Sequence, residues 1–167
     1  MTQQKFEFAA GDYVVYPVHG VGQVEGIEVL SVAGQEVSLY AIVFEKDRMK
    51  LKIPVGKAKT SGLRRLSSKE RLSTAMDTLQ GKSRAKKAMW SRRAQEYEAK
   101  INSGDPVSIA EVLRDLRRST DAAEQSYSER QIYQAALDRL ARELAAVEKI
   151  DESKAAAKLE AVLFQAA

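Results

Sequence analysis

Short runs in which apolar and polar residues alternate dominate the first third of the chain, and this period of two predicts β-strands. Glycine-containing turns separate the runs, as expected between short strands. The runs cover residues 13–16, 22–32, 38–45 and 49–54, and a further short strand starts at Gly62-Leu63. Five short strands within this length predict a small, strongly bent sheet or barrel.

From Ser67 onward the apolar residues recur at helical spacing instead. Ser67-x-x-Glu70 and Ser108-x-x-Glu111 match the capping-box pattern that starts many helices. Five helices are predicted: Ser67 to Gly81, about Lys86 to Asn102, a third after Asp105-Pro106, a fourth from near Ser128, and Asp151 to Phe164. Each is amphipathic and needs neighbours to bury its apolar stripe, so the helices should form a compact bundle.

The two patterns together predict an α+β protein with two domains. Residues 1–64 form a small bent β-sheet or barrel, and residues 65–167 form a compact helical bundle. With 44% hydrophobic and 30% charged residues, the 167-residue chain has the composition of an ordinary globular protein.

Composition argues against catalysis and against a bound metal. The chain has no cysteine, and its single histidine, His19, cannot build a metal site alone. No nucleophile elbow, phosphate loop or zinc-binding helix motif occurs, so we expect no catalytic residues and no cofactor. No signal peptide or membrane-spanning run is evident, which predicts a soluble cytoplasmic protein with no membrane partner.

The net charge of +4 matters less than where the positive charge lies. Residues 46–71 carry ten Lys/Arg against two acids, which is equally compatible with solvated surface and with a docking face. Residues 82–93 carry six Lys/Arg, no acid and the only tryptophan. Because lysine and arginine on phosphates release condensed counterions, this segment predicts a nucleic-acid contact. The candidate DNA-binding residues are Lys86, Lys87, Trp90, Arg92 and Arg93.

Two interpretations of Trp90 remain open at this point. Trp90 shares a helical stripe with Ala94, Tyr97 and Ile101, which is typical of a residue that anchors a bundle core. It also lies in the first turns of its predicted helix between basic pairs, where an aromatic ring could stack on a base or wedge between base steps. Periodicity favours the core and local charge favours DNA.

Lys50 and Lys52 also allow two interpretations. They alternate with Met49, Leu51 and Ile53, as on a half-buried strand. Lysines on a strand commonly protect a sheet edge from wrong pairing. The same edge could instead add a strand from a chosen partner. The sequence does not separate these alternatives.

Taken together, the motifs resemble CarD/CdnL-type bacterial transcription regulators, over nearly the whole chain and in the same order. The similar segments are the opening GDYVVYPVHGVGQVEGIE, the strand MKLKIP, the segment WSRRAQEYEAKINSGDP and the helix IAEVLRDL. The opening is also similar to the polymerase-binding module of transcription-repair coupling factors. Those proteins continue into a helicase, whereas this chain continues into a predicted helical bundle.

This resemblance implies a non-enzymatic regulator with two contact surfaces, associated with the nucleoid through RNA polymerase, and we expect the protein to be a monomer. A Tudor-like N-terminal module would bind the polymerase β subunit, in part through a sheet edge. The matching residues are Tyr40, Ala41, Ile42, Lys50, Lys52, Ile53 and Pro54. The helical domain would contact promoter DNA in the minor groove at the upstream edge of the transcription bubble. Trp90 matches a tryptophan wedge that stabilises the open complex, and Arg92 matches a supporting basic residue.

The chain departs from its relatives at two places. Relatives often follow the Trp-Ser-Arg-Arg segment with an aromatic and a basic residue, where this chain has Ala94-Gln95. Glu96 and Glu98 follow and add negative charge near the expected DNA face, and Leu30 replaces a basic residue of some relatives. Two other functions remain as alternatives. A free-standing nucleic-acid-binding module would bind tightly without polymerase, and a hydrolase would require carboxylates to converge in three dimensions.

Overall fold

The computed structural model of the chain describes residues 6–83, 89–117 and 127–165. It divides into two compact units, Met1–Leu66 and Ser67–Ala167. The first unit is an antiparallel sheet and the second is helical, so the predicted α+β class is confirmed.

The described part of the sheet unit, from residue 6 onward, contains five antiparallel strands in the order β4-β3-β2-β1-β5. Their bounds are β1 (Tyr13–Tyr16), β2 (Gly20–Val32), β3 (Gln35–Phe44), β4 (Met49–Pro54) and β5 (Arg64–Arg65). A short 3-10 helix, Val55–Lys57, follows β4. The sheet is open rather than closed into a barrel, which leaves β4 and β5 as its edges.

A tight turn at Ala33-Gly34 sets the register of the β2–β3 hairpin. Both residues have positive φ, 53° at Ala33 and 80° at Gly34. Two-residue hairpin loops of this kind match the right-handed twist of the flanking strands. Val32 therefore pairs with Gln35 directly across the turn.

The core of the sheet unit forms where β2 passes under the aromatic ring of Phe44. A Cβ added to Gly22 would lie 2.7 Å from that ring, so only glycine fits there. The buried cluster is apolar, as expected for the inner face of a bent sheet. It comprises Phe8, Val14, Val24, Tyr40, Ile42, Phe44, Ile53, Ala58 and Leu63.

The described part of the helical unit contains five α-helices around a core of mainly leucine, isoleucine and alanine. The helices are α1 (Lys69–Gln80), α2 (Trp90–Asn102), α3 (Pro106–Leu116), α4 (Tyr127–Glu148) and α5 (Glu152–Gln165). In the described ranges, no helix has the length and apolar character needed to cross a membrane.

Both predicted capping boxes are wrong in detail. At α1 the N-cap is Ser68, whose side chain accepts from the N–H of Arg71. The N–H of Ser67 instead donates to the buried carboxylate of Glu143 at 2.7 Å. The residue that the local pattern assigned as the N-cap is therefore hydrogen-bonded to Glu143, a distant acceptor on α4.

At α3 the N-cap is Asp105, and Pro106 occupies the first helical position. Ser108 lies inside the helix and donates to the Asp105 carboxylate through its N–H at 3.2 Å and its hydroxyl at 3.0 Å. Proline is favoured at this position because its missing N–H would have no helical partner anyway. The helix thus starts earlier than the serine pattern predicted.

The start predicted for α2 is also wrong. Met89 is the N-cap with φ −57° and ψ 143°, which is an extended conformation, so the helix begins at Trp90 rather than near Lys86. The segment 84–88 lies outside the described residues.

Candidate functional site

The edge strand β4 has the two-faced character that its sequence predicts. Met49, Leu51 and Ile53 pack toward the sheet core, while Lys50 and Lys52 are exposed on the other face. β4 pairs with β3 along its whole length, and its other side pairs with no strand in the described part of the chain. Such an edge carries backbone N–H and C=O groups that a partner strand can bind.

Two ion pairs cross the intervening strand β3 and tie the edge to β2. Lys50 Nζ lies 2.8 Å from Glu25 Oε2, and Lys52 Nζ lies 2.8 Å from Glu28 Oε2. The hydrogen bond from Lys52 lowers the pKa of Glu28, and the hydrogen bond to Glu25 raises the pKa of Lys50. All four side chains remain between 41% and 48% exposed, so solvent weakens these pairs.

Tyr40, Ala41, Ile42 and Ile53 lie in a different environment from the lysines. All four are buried, at 1%, 1%, 0% and 6% exposure. The first three belong to β3, which has β2 on one side and β4 on the other. The Tyr40 hydroxyl accepts from the N–H of Glu7 at 3.0 Å. The side chains of these residues therefore shape and support the edge strand from behind.

Pro54 ends β4 opposite Leu39 and is half-buried. Because proline has no N–H, it limits how far another strand can extend along this edge. Among the seven residues expected to bind polymerase, Lys50, Lys52 and Pro54 are therefore the ones with accessible side chains.

Trp90 lies at the start of α2 in a cluster with Arg93, Tyr97 and Ser128, which we term the tryptophan cluster. The Arg93 guanidinium lies 5.5 Å from the centre of the Trp90 ring and 5.7 Å from that of Tyr97. Arg93 Nη2 also donates to the Tyr97 hydroxyl at 3.1 Å. The Trp90 and Tyr97 rings are 6.2 Å apart and tilted by 50°. Cation–π contacts of this kind hold aromatic rings in place.

The fourth member of the tryptophan cluster comes from another helix. The indole Nε1 of Trp90 donates to the hydroxyl of Ser128 at 3.2 Å. Ser128 lies in the first turn of α4 and is exposed. A contact across 38 residues therefore sets one edge of the indole.

The two interpretations of Trp90 each describe part of its environment. Trp90 and Ala94 pack partly buried against the helical core, while Tyr97 and Ile101 of the same stripe are fully buried. The ring is thus anchored to the bundle, but it retains exposed surface.

The basic candidates differ in what the structure places near Trp90. Arg93 stacks on the ring, and Arg92 is exposed in the first turn of α2. Lys86 and Lys87 lie outside the described residues. The Met89 N-cap makes no side-chain capping hydrogen bond, so first-turn N–H groups of α2 lack a side-chain acceptor at the cap.

Three contributors to these surfaces were not predicted from the sequence: Glu25, Glu28 and Ser128. The glutamates reach the lysines because a bulge between Val24 and Gly26 shifts the β2–β3 register. Nothing in the local pattern marks Ser128 as the partner of Trp90. Within the described residues, no group of three or more side chains could hold a metal ion.

Comparison with known proteins identifies the family. The CarD C-terminal domain matches residues 74–160, more than half of the chain. The chain belongs to the CarD family. The CarD-like/TRCF RID domain matches residues 8–67, which contain the whole sheet. CarD-family proteins are transcription factors, and the RID domain, a polymerase-interacting module, suggests RNA polymerase as a partner.

Relatives of this CarD-family chain include the candidate transcription factor YdeB of Bacillus subtilis (strain 168). It is 29% identical over 147 residues, which cover 88% of this chain and 96% of YdeB. Two solved structures from Myxococcus xanthus are also similar. The N-terminal domain of CarD is 36% identical, and the match covers 38% of this chain and 84% of the CarD domain, with a TM-score of 0.31. CdnLNt is 39% identical, and the match covers 41% of this chain and 97% of the CdnLNt chain, with a TM-score of 0.33.

Proposed function

We propose that this CarD-family protein binds the RNA polymerase β subunit through β4 and stabilises open promoter complexes through Trp90. The observation that carries the proposal is the position of Trp90. It is an anchored but partly exposed aromatic ring at the first residue of a helix, with the exposed Arg92 in the same turn. In this proposal the protein is a non-enzymatic cytoplasmic monomer that associates with the nucleoid by binding RNA polymerase.

The edge of β4 supports the polymerase contact. Its outer side offers the backbone groups of β4 that do not point toward β3, up to Pro54, and this suits addition of a partner strand. The ion pairs of Lys50 and Lys52 are exposed, and solvent screening leaves exposed pairs with little effect on stability. Lys50 and Lys52 can therefore leave Glu25 and Glu28 and pair with carboxylates of a partner at little cost in free energy. The edge strand is held in place by buried side chains of the sheet core, namely those of Tyr40, Ala41, Ile42 and Ile53.

The start of α2 supports the DNA contact. The exposed Arg92, together with Lys86 and Lys87 from the preceding segment, would bind phosphates on either side of Trp90. Helix N-termini without a capping side chain favour anions because their N–H groups point outward. This contact would carry little sequence information, since phosphates position a protein without specifying bases.

Trp90 itself would act at the upstream edge of the bubble, in the minor groove. An opened promoter loses base stacking at the fork, and an aromatic ring placed there restores part of it. Base–aromatic stacking contributes about 1–3 kcal/mol. Because about 1.4 kcal/mol changes an equilibrium tenfold, one ring suffices to lengthen open-complex lifetime measurably. Binding to polymerase would raise the effective concentration of the ring at the fork.

The decisive measurement is open-complex lifetime with the cognate polymerase, comparing wild type with Trp90→Ala. We expect wild type to lengthen the open-complex lifetime. The lifetime with Trp90→Ala should be about tenfold shorter than with wild type. Trp90→Phe keeps an aromatic face and serves as the matched control, with an intermediate lifetime expected. Because Trp90 packs against the helical core, circular dichroism must show that each variant is folded.

The outcomes separate this proposal from the alternative. No effect of wild type on lifetime, combined with tight and salt-dependent DNA binding without polymerase, would favour a free-standing nucleic-acid-binding module. A folded Trp90→Ala protein with wild-type lifetime would limit Trp90 to a structural role.

A further inference from the structure

We propose that Ser128 is a positioning residue for Trp90, a proposal that rests on the DNA-contacting role proposed for that ring. Its hydroxyl accepts the indole N–H at 3.2 Å and thereby links the start of α4 to the start of α2. Through this bond the helical bundle sets the direction in which the indole faces.

Three contacts act on different parts of the indole. Ser128 holds the N–H edge, the Arg93 guanidinium lies 5.5 Å from the ring centre, and Tyr97 lies beside the ring at 6.2 Å. A tryptophan side chain has two rotatable torsions, so contacts at an edge and over a face fix its orientation. A ring that is ordered before binding loses less conformational entropy when it inserts.

The chemistry of the hydrogen bond is compatible with stacking. Ser128 engages the edge of the indole, whereas a base stacks on its face. Insertion between bases removes water from around the ring, and a buried donor without an acceptor is costly. Ser128 supplies that acceptor from the protein, so the indole N–H stays satisfied when water leaves.

Ser128 is also the member of the tryptophan cluster that can be changed with least damage to the fold. Tyr97 belongs to the buried core, and Arg93 stacks on both rings. Ser128 is exposed, and its hydroxyl meets Trp90 through a contact between side chains. Ser128→Ala therefore removes the acceptor while leaving the core intact.

The experiment compares the full-length wild type, Ser128→Ala and Ser128→Thr, the last of which keeps the hydroxyl. Trp90 is the only tryptophan, so fluorescence excited at wavelengths that the six tyrosines do not absorb reports on this ring alone. We expect Ser128→Ala to change the emission maximum and to increase quenching by acrylamide. Open-complex lifetime with cognate polymerase should shorten by about two- to tenfold, the factor expected for one neutral hydrogen bond. Ser128→Thr should restore both readouts, with polymerase recovery and melting temperature equal in all three proteins.

Several results would overturn the proposal. Unchanged fluorescence in Ser128→Ala means that the bond does not order the indole in solution. Changed fluorescence with a wild-type lifetime means that the ordering has no role on DNA. A longer lifetime means that Ser128 withholds the ring instead of presenting it. If Trp90→Ala also leaves the lifetime unchanged, the proposed function itself fails, and fluorescence still shows whether the bond exists.

Discussion

Polar side chains that are partly or fully withdrawn from solvent in the helical unit differ in how well their hydrogen-bonding needs are met. The Arg117 guanidinium donates to the carbonyls of Leu79, Gly81 and Leu163, at 2.9, 3.0 and 3.3 Å, and so satisfies the ends of two helices. The hydroxyl of Tyr133 is buried with no hydrogen-bond partner among the described residues. An unsatisfied buried hydroxyl destabilises the folded state, so Tyr133 is a place where stability can be gained.

We expect Tyr133→Phe to keep or raise the stability of the folded protein, by up to about 1 kcal/mol, because it removes an unsatisfied hydroxyl and keeps the ring. Burial, with a smaller effect of Glu160, raises the pKa of Tyr133 to about 12. The folded state thus favours the protonated phenol. Ionisation of Tyr133 therefore does not affect the free energy of unfolding below the unfolded pKa, near 10. The free energy of unfolding then falls as the pH rises toward 12, because the folded state disfavours the phenolate.

Urea unfolding at pH 7 and at several values above pH 10 measures this effect. The Tyr133→Phe protein should lose less stability over the alkaline range than wild type. A loss of more than about 1 kcal/mol at pH 7 would contradict the assignment, since it would mean that the hydroxyl has a favourable partner.

At the scale of elements, Asp105 does more than cap one helix. Its Oδ1 accepts from Arg71 Nη2 of α1 at 2.7 Å, and its Oδ2 accepts from Ser108 at the start of α3. Burial alone would raise the pKa of Asp105, but the hydrogen bonds from Arg71 and Ser108 together hold it below its ordinary value. The ionised carboxylate therefore joins two helix N-termini.

Asp105→Ala should cost about 1 kcal/mol, the usual value for loss of an N-cap. Asp105→Asn is the matched control because asparagine also caps well but carries no charge. With a lowered folded pKa, the charge-dependent part of the wild-type stability is present above the unfolded pKa and is lost as the pH falls through the folded pKa. The Asn variant should lack this acid-dependent loss.

Helical circular dichroism during urea unfolding, at pH 7 and in steps below pH 4, tests both parts. An Asp105→Ala protein as stable as wild type at neutral pH would show that the cap contributes nothing. Identical acid dependence in wild type and Asp105→Asn would show that another carboxylate dominates.

At the scale of the whole molecule, the two candidate surfaces belong to different units. Lys50 and Lys52 lie on the sheet unit, and Trp90 and Ser128 lie on the helical unit. The two domain matches, residues 8–67 and 74–160, follow the same division. Under the proposed function, polymerase binding and DNA contact should therefore respond separately to substitution.

Neutralising both lysines, as Lys50→Gln with Lys52→Gln, should weaken polymerase β-subunit binding severalfold and leave DNA affinity nearly unchanged. The matched control is Lys57→Gln with Lys59→Gln, which removes the same charge from two exposed lysines outside β4. Quantitative pull-down with the isolated β subunit measures the first effect, and DNA titration at fixed salt measures the second. Equal β-subunit recovery by both double variants would assign the lysines to edge protection alone.

The sequence by itself determined which elements form and which faces they bury, although it misplaced the starts of three helices. The alternation of Met49, Lys50, Leu51, Lys52 and Ile53 fixed both the bounds of β4 and its inward side, because a strand places successive side chains on opposite faces. Helical periodicity likewise located the buried stripe of Tyr97 and Ile101. These features depend on neighbours in the chain, so a local pattern is enough to indicate them.

Only the tertiary structure decided which distant groups meet. Glu143 reaches Ser67 across 76 residues, and Ser128 reaches Trp90 across 38. The pairing of Lys50 with Glu25 required both the bulge in β2 and the placement of β4 beside β3. Such contacts follow from how whole elements pack, and packing depends on the sum of many weak interactions rather than on any one stretch of sequence. For this reason the sequence showed where a tryptophan and two lysines lie, and the fold showed what holds them there.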